Sequence, residues 1–360
     1  MLVDRTGPEG DGDGSPGPDL PAVLAVVVAY GDEPWLERGV EAILNSTGVE
    51  VSVVVVDNGC TDGGVDRLRG RRGVTVLEPE RNLGFADGCN VGVAAVAPGA
   101  AQYVALVNPD TEASATALVR MVEALSDPEV GIATCSLRLA DRPDLLNSAG
   151  NAFHFLGLSW AGSFEVPAVE RSVGCDVAAA SGAGMVLRRE LWDELGGFVP
   201  EFFAYQEDAE LSIRCWLSGR RVVYVPDSVI VHRYEFSRTP GKFFLLDRNR
   251  LLLVLTVYES RTLALLAPLL LLQELLMFVA AAAQGWLPAR VRSVSWLLSN
   301  RRFVADRRRS IAATRRRGDA EIAPLMAEVV QPGNHPLPAW AVRLQWPLVL
   351  WWRVVRRALH

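Results

Sequence analysis

From Ala22 onward, short runs of β-branched and other apolar residues alternate with stretches whose apolar positions recur at helical spacing. The first run is VLAVVVAY, Val23 to Tyr30. With no polar alternation, it fits a strand buried on both faces, as in a parallel sheet covered by helices. Leu36, Val40, Ile43 and Leu44 then share a helical face, and VSVVVV (Val51 to Val56) reads as a second buried strand. VTVLE (Val74 to Glu78), a Gly-rich loop and helix, YVALV (Tyr103 to Val107) and a helix carrying Leu118, Met121, Val122 and Leu125 follow. This βαβαβαβ order predicts an α/β fold, a doubly wound and mostly parallel sheet with right-handed crossovers. After Ser126 the rhythm loosens, with a Gly- and Ser-containing stretch from Asn147 to Ser163. GAGMVLRR (Gly182 to Arg189) resumes as strand, and Leu191 to Leu195 forms a short helix closed by Gly196-Gly197. A helix over 208–218 stops at Gly219, and VVYVP (Val222 to Pro226) reads as another strand.

In open α/β sheets, ligands bind outside the carboxyl ends of the strands. That directs attention to Tyr30-Gly31, Asp57-Asn58-Gly59 and Asn108-Pro109-Asp110, and further on to the carboxylate pair Glu207-Asp208 and to His232. Each has an ordinary structural reading. DNG and NPD form turns, Asp208 can cap its helix, and a lone histidine after a strand is commonly structural. Gly84, Gly88 and Gly92 make no dinucleotide fingerprint and would also serve close helix packing.

Taken together, in this order and at these strand ends, the motifs resemble the GT-A fold of family 2 glycosyltransferases, most closely the bacterial rhamnosyl- and galactofuranosyl-transferase branch. The matching pieces are VVVAYGDEPWL, VVVVDNGCTDGG, ERNLGFADGCNVG, ALVNPDTEA, ASGAGMVLRRELWDELGGFVPEFFAYQEDAELSIR and VIVHR, which run from Ala22 to about Arg250. The resemblance implies that Ala29, Tyr30, Asp57 and Asn58 hold the nucleotide, that Arg81 and Asn82 line its site, and that Gly84 lets the backbone pass close to it. It implies that Asn108-Pro109-Asp110 stands for the family's DxD motif, with Asn108 at the nucleotide sugar and Asp110 a metal ligand. His232 completes a Mg²⁺ or Mn²⁺ site. Asp208 becomes the general base of an inverting transfer, and Glu207 orients the acceptor. Cys60, where a serine is usual, and Gly31, where an asparagine is common, depart from the pattern. The implied donor is a nucleotide-diphosphate sugar, with dTDP-rhamnose favoured over UDP-galactofuranose and GDP-mannose. The implied acceptor is a glycolipid or polysaccharide at the cytoplasmic face of a bacterial cell membrane. A sugar-phosphate nucleotidyltransferase would need a Gly- and Lys/Arg-rich first loop, which AYGDEPWL lacks. A catalytically inactive scaffold is disfavoured by the joint presence of Asp57, Asp110, Asp208 and His232.

The remainder of the chain has a different composition. Leu263 to Ala283 is apolar except for Gln273 and Glu274, and its 21 residues would reach roughly 31 Å as a helix, about one hydrocarbon thickness. Arginines crowd from Arg290 to Arg317. Both this flank and a nucleotide-using front belong in the cytoplasm, which a single crossing cannot satisfy. A membrane-surface helix or re-entrant hairpin is therefore expected, with Ala339 to Arg357 in the interface. An apolar helix docked on the catalytic domain or in a homodimer stays open. The formal charge of -6 hides an acidic first twenty residues and this basic rear, and Lys242 is the only lysine. Five scattered cysteines without metal-ligand spacing argue for a reducing compartment. No nucleic-acid partner is expected. The expected division is a disordered tail over 1–20, a catalytic domain over 21–250 and a helical membrane-associating region over 251–360.

Overall fold

The computed structural model describes residues 20–234, 241–334, 337, 342–343 and 345–360. Apart from its last residue, the expected disordered tail lies outside the described residues. The buried runs become β1 (Ala22–Gly31), β2 (Glu50–Cys60), β3 (Val74–Leu77) and β4 (Tyr103–Val107), paired in parallel in the order β3-β2-β1-β4. Alternation along β1 sends Leu24, Val26 and Val28 to one face and Val23, Ala25 and Val27 to the other. Helices α1 (Leu36–Leu44) and α3 (Ala117–Ala124) cover the second face, and α2 (Gly84–Ala94) covers the first. One connection differs from expectation: β2 reaches β3 through a 3₁₀ turn at Asp66–Leu68 instead of a helix.

The sheet then becomes mixed. After the short β5 (Thr111–Ala113), β6 (Val130–Leu139) carries edge strand β7 (Leu146–Ser148), and β8 (Asn151–Phe153) and β9 (Ser159–Ala161) form a separate hairpin. β10 (Cys175–Asp176), β11 (Gly184–Arg188) and β12 (Arg221–His232) complete the order β10-β12-β6-β11-β4-β1-β2-β3, with β11 antiparallel to both β4 and β6. The hydrophobic rhythm does not announce β6, because Gly131, Thr134 and Ser136 interrupt it. Each has a reason supplied by the tertiary fold. A Cβ at Gly131 would meet Cys215 Sγ at 2.5 Å, Thr134 donates to Gly184 O, and Ser136 accepts from Tyr224. β12 runs past the expected end at Pro226, because a register shift between Val225 and Val229 absorbs the proline.

Helix α4 (Arg189–Leu195) ends at Gly196 with φ 75°, as its sequence predicts, and α5 (Glu207–Leu217) packs below the sheet beside α6 (Lys242–Val257). The rest is helical: α7 (Ser260–Gln284), α8 (Leu287–Ser299), α9 (Arg301–Thr314), α10 (Asp319–Ile322) and α11 (Trp346–Leu359). Residue 250 falls inside α6, and Leu266, Leu297, Ile311 and Trp352 share one core with β1. α7 is one unbroken helix, not a hairpin folded back on itself. The chain beyond it returns to the sheet domain: Arg307 binds Glu210 of α5 at 2.8 Å, the amides of Arg316 and Arg317 bond Leu217 O, and Trp352 stacks on Phe155 at 4.6 Å. Trp352 therefore sits in the core, within the segment whose sequence suggests the membrane interface.

Candidate active site

Strand pairing brings the first two side chains together. β5 runs antiparallel to β12 with His232 opposite Thr111, and Arg233 N donates to Asp110 O. His232 Nε2 thereby lies 3.3 Å from Asp110 Oδ1, while Nδ1 faces Asn147 Oδ1 at 2.9 Å. A proton on Nδ1, donated to Asn147, leaves the Nε2 lone pair beside a carboxylate oxygen, an arrangement that a cation against both atoms relieves. One carboxylate and one imidazole suit a hard or borderline divalent ion whose other positions go to phosphate oxygens and water. Among the described residues, no group of three or more His, Cys, Asp or Glu side chains is placed to hold a metal ion. The pair fits such a cation only with a substrate completing the set.

The second carboxylate comes from a strained loop. Phe203, Tyr205 and Gln206 have φ of 62°, 73° and 67°, left-handed values that non-glycine residues avoid at about 1–3 kcal/mol each. The loop is held from α6, where Asn249 Nδ2 meets the carbonyls of Phe202 (2.9 Å), Ala204 (2.9 Å) and Tyr205 (2.7 Å). Arg248 adds a bond to Phe202 O at 3.1 Å and braces Asn249 Oδ1 at 3.0 Å. From the other side Ala86 N bonds Phe203 O, and a Cβ at Gly84 would stand 2.3 Å from that oxygen. Gly84 is thus required by the approach of this loop.

The loop delivers Glu207 and Asp208 as the first two residues of α5. Asp208 Oδ2 accepts from Asn151 Nδ2 (3.1 Å) and Gly182 N (3.0 Å), and Oδ1 accepts from Ala209 N (2.7 Å). Glu207 is buried, and its Oε2 has no hydrogen-bond partner. Burial raises both carboxyl groups above the usual range. Glu207 is lifted further by the charge of Asp208, whereas the three N–H donors partly restrain Asp208. The sequence suggests that the helix N-terminus weakens Asp208 as a base. Here burial outweighs that influence: both carboxyls are raised, and Glu207, which has the charge of Asp208 beside it and no donor on Oε2, is raised the more strongly.

A cleft of about 390 Å³ gathers Tyr30, Asn108, Asp110, Glu207, Asp208 and His232, a size suited to a small-molecule site. The other candidates stand outside its lining. Ala29 is buried in the core, opposite Asp57 in the β1–β2 register. Asp57 Oδ1 closes its own turn by accepting from Gly59 N and Cys60 N. Asn58 is buried, donating to Gly84 O at 2.7 Å and accepting from Leu83 N. Arg81 is exposed, and Asn82 accepts from Gly84 N at 2.8 Å. Sequence reasoning missed Asn147, Asn151, Trp160 and Tyr205, which line the cleft, and Asn249, which holds the loop. The first three fall in the stretch whose periodicity fades, and Asn249 lies in the polar run Asp247 to Arg250 of α6, where nothing local singles it out.

A family model described as glycosyltransferase like family 2 matches residues 21–251. An N-acetylglucosaminyl-diphospho-decaprenol L-rhamnosyltransferase of Mycobacterium tuberculosis (strain CDC 1551 / Oshkosh) is 29% identical over an alignment of 243 residues that covers 60% of this chain and 77% of that one. Among solved structures, GalNAc-T7 with UDP, GalNAc and Mn2+ superposes with a TM-score of 0.57 at 17% identity over 69% of this chain. This chain spans about half of that one, 51%. S. aureus TarS superposes with a TM-score of 0.50 at 14% identity, over 94% of this chain and 53% of that one. These two likenesses concern the fold.

Proposed function

The chain belongs to glycosyltransferase family 2, and from that premise we propose that it is an inverting enzyme moving a rhamnose-like deoxyhexose from a nucleotide-diphosphate donor to a lipid-linked acceptor in cell-envelope glycan synthesis. The observation that carries the reading is the placement of the Asp208 carboxylate and the Asp110–His232 pair on one cleft. The sugar and carrier in the name of the M. tuberculosis relative support dTDP-rhamnose and a polyprenyl-diphosphate-linked acceptor. UDP-galactofuranose and GDP-mannose are the next donors in order. The domain over 21–250 would bind the donor, and 251–360 would face the cytoplasmic side of the membrane.

In this reading Asp208 takes the proton of the acceptor hydroxyl, and that oxygen attacks the anomeric carbon from the face opposite the departing diphosphate. Asn151 and Gly182 fix Asp208 Oδ2 before the acceptor arrives, so orientation is set in advance. Glu207, whose burial and neighbouring charge favour its protonated form, would limit the negative charge beside the base and orient the acceptor. Asp110 and His232 would hold a divalent cation, Mg²⁺ or Mn²⁺, whose charge offsets that of the nucleoside diphosphate. Tyr30 and Asn108 would meet the nucleotide sugar. Ala29, Asp57, Asn58, Arg81, Asn82 and Gly84 would shape the nucleotide end through backbone and turn geometry.

The test is transfer from each of the three donors to an N-acetylglucosaminyl polyprenyl diphosphate, with the product's mass and anomeric configuration recorded. Rhamnosyl transfer with inverted configuration is expected, abolished by EDTA and restored by Mg²⁺ or Mn²⁺. Undiminished turnover in EDTA would overturn the cation site, and a product that keeps the donor's configuration would overturn the role of Asp208.

A further inference from the structure

Every exposed residue of α7 between positions 264 and 283 is apolar, and the polar Gln273 and Glu274 lie toward the protein. This inverts the usual surface helix, which turns its charges to water. Glu274 is claimed by two buried arginines, Arg250 of α6 and Arg290 of α8, and Arg290 also binds Asp247 at 2.7 Å. The outer stripe includes Leu271, Leu275 and Val279, which are 71%, 62% and 61% exposed. Beside it lies α11, whose Trp351 donates to Leu265 O of α7 at 3.0 Å. α11 carries a second exposed apolar stripe, Trp346, Leu350 and Val354, with Arg357 one turn beyond.

We propose that α7 and α11 form a monotopic docking face for a bilayer containing anionic lipid, with α7 lying in the membrane plane and not across it. The first, middle and last turns of α7 all bear on the protein, through Thr262 and Leu266, Glu274, and Ala281. No stretch long enough to cross the roughly 30 Å hydrocarbon layer is left free of it. The chain on both sides of α7 is tied to the catalytic domain, by α6 before it and by the Arg307–Glu210 pair after it, so both ends stand on one side. Glu274 meets arginines instead of lipid, and the stripe that remains is uncharged. Arg357, exposed beside that stripe, suits anionic headgroups. The docking face stands on this geometry. Its use, to bring the cleft to a membrane-borne acceptor, rests on the function proposed above.

The test uses the full chain with sedimenting vesicles of phosphatidylethanolamine and phosphatidylglycerol. Wild type is expected to pellet, and the Leu271→Glu/Leu275→Glu double variant to bind at least roughly tenfold less, with unchanged donor binding and circular dichroism. In inverted membrane vesicles, Gln284→Cys in a Cys175→Ser background should react with an impermeant maleimide. Wild type remaining in the supernatant overturns the proposal, as does a solution dimer that the double variant dissociates, since the occupant is then a second copy. Protection of residue 284 from the maleimide also overturns it, because α7 then crosses. Tight vesicle binding without transfer to a lipid-linked acceptor counts against the proposed acceptor and leaves the docking face standing.

Discussion

At the carboxyl ends of β2 and β4, polar residues are held mainly by near neighbours in sequence: Asp57 by amides two and three positions on, and Asn108 O by Thr111. Elsewhere in the site, Asp208 is held by Asn151, 57 positions away, and His232 by Asn147, 85 positions away. The loop before Asp208 is held by Asn249, up to 47 positions away. One side of the site is made by turns that form wherever their sequence occurs. The other exists only when distant elements have docked, so it stores backbone strain that local sequence could not sustain. Damage on the first side should therefore stay local, whereas damage on the second should reach the reacting atoms from outside the cleft.

The largest effect is expected at Asp208→Asn. The amide keeps the shape but cannot take a proton, and a positioned base contributes typically 10²–10⁴-fold. Turnover should fall by about that factor while donor affinity stays near wild type, with a modest loss of thermal stability because the new NH₂ must face either Ala209 N or Gly182 N, both donors. Undiminished transfer would remove Asp208 from the chemistry and leave the strained loop without a purpose. Next comes Asn249→Ala, whose side chain holds the loop only through backbone carbonyls and whose loss takes that donor from Ala204 O and Tyr205 O, while Phe202 O keeps Arg248. Leaving buried polar groups unpaired costs about 1–3 kcal/mol, and a loosened base should lower kcat by roughly tenfold at unchanged donor KM. Asp57→Ala is the matched control from the other side, because it frees only Gly59 N and Cys60 N, two and three positions on. Its expected signature is a raised donor KM with kcat little changed. If both variants lose only stability, the contrast between the two sides fails.

This contrast also explains what could be read from the sequence. The runs 23–29 of β1, 53–56 of β2 and 104–107 of β4 are apolar because both faces are covered, so their ends, and with them Tyr30, Asp57 and Asp110, follow from the hydrophobic pattern. β6 is just as buried, but it carries Thr134 and Ser136 because partners in β11 and β12 satisfy them, and a single sequence does not display partners. Asn147 and Asn151 sit on short strands with no period long enough to detect. Glu207-Asp208 is visible as a pair at a helix start. That Glu207 is buried without a hydrogen-bond partner for Oε2, and that three preceding residues are left-handed, depends on α2 and α6 pressing from two sides. In α7 the pattern gives an apolar helix, while the partners of Glu274 lie in two other helices and decide which face is left outward.

The smallest change in turnover is expected at Glu207→Gln, and its value lies in its pH dependence. Burial and the neighbouring charge raise the Glu207 carboxyl well above its ordinary range, so the folded state holds a proton that the unfolded chain releases. Wild-type stability should then fall as pH rises from about 4.3, where an unfolded glutamate titrates, until the folded group itself ionises. In that window the slope is about 1.4 kcal/mol per pH unit. Glutamine keeps the shape of the protonated acid and does not titrate. Below the window the variant should therefore differ from wild type by a fixed offset, and through it the variant should become progressively the more stable of the two. Thermal unfolding of both proteins from pH 4 to 8 reads this directly. Parallel curves would mean that Glu207 ionises in the folded state as it does in the unfolded chain, so that burial and the charge of Asp208 do not raise it.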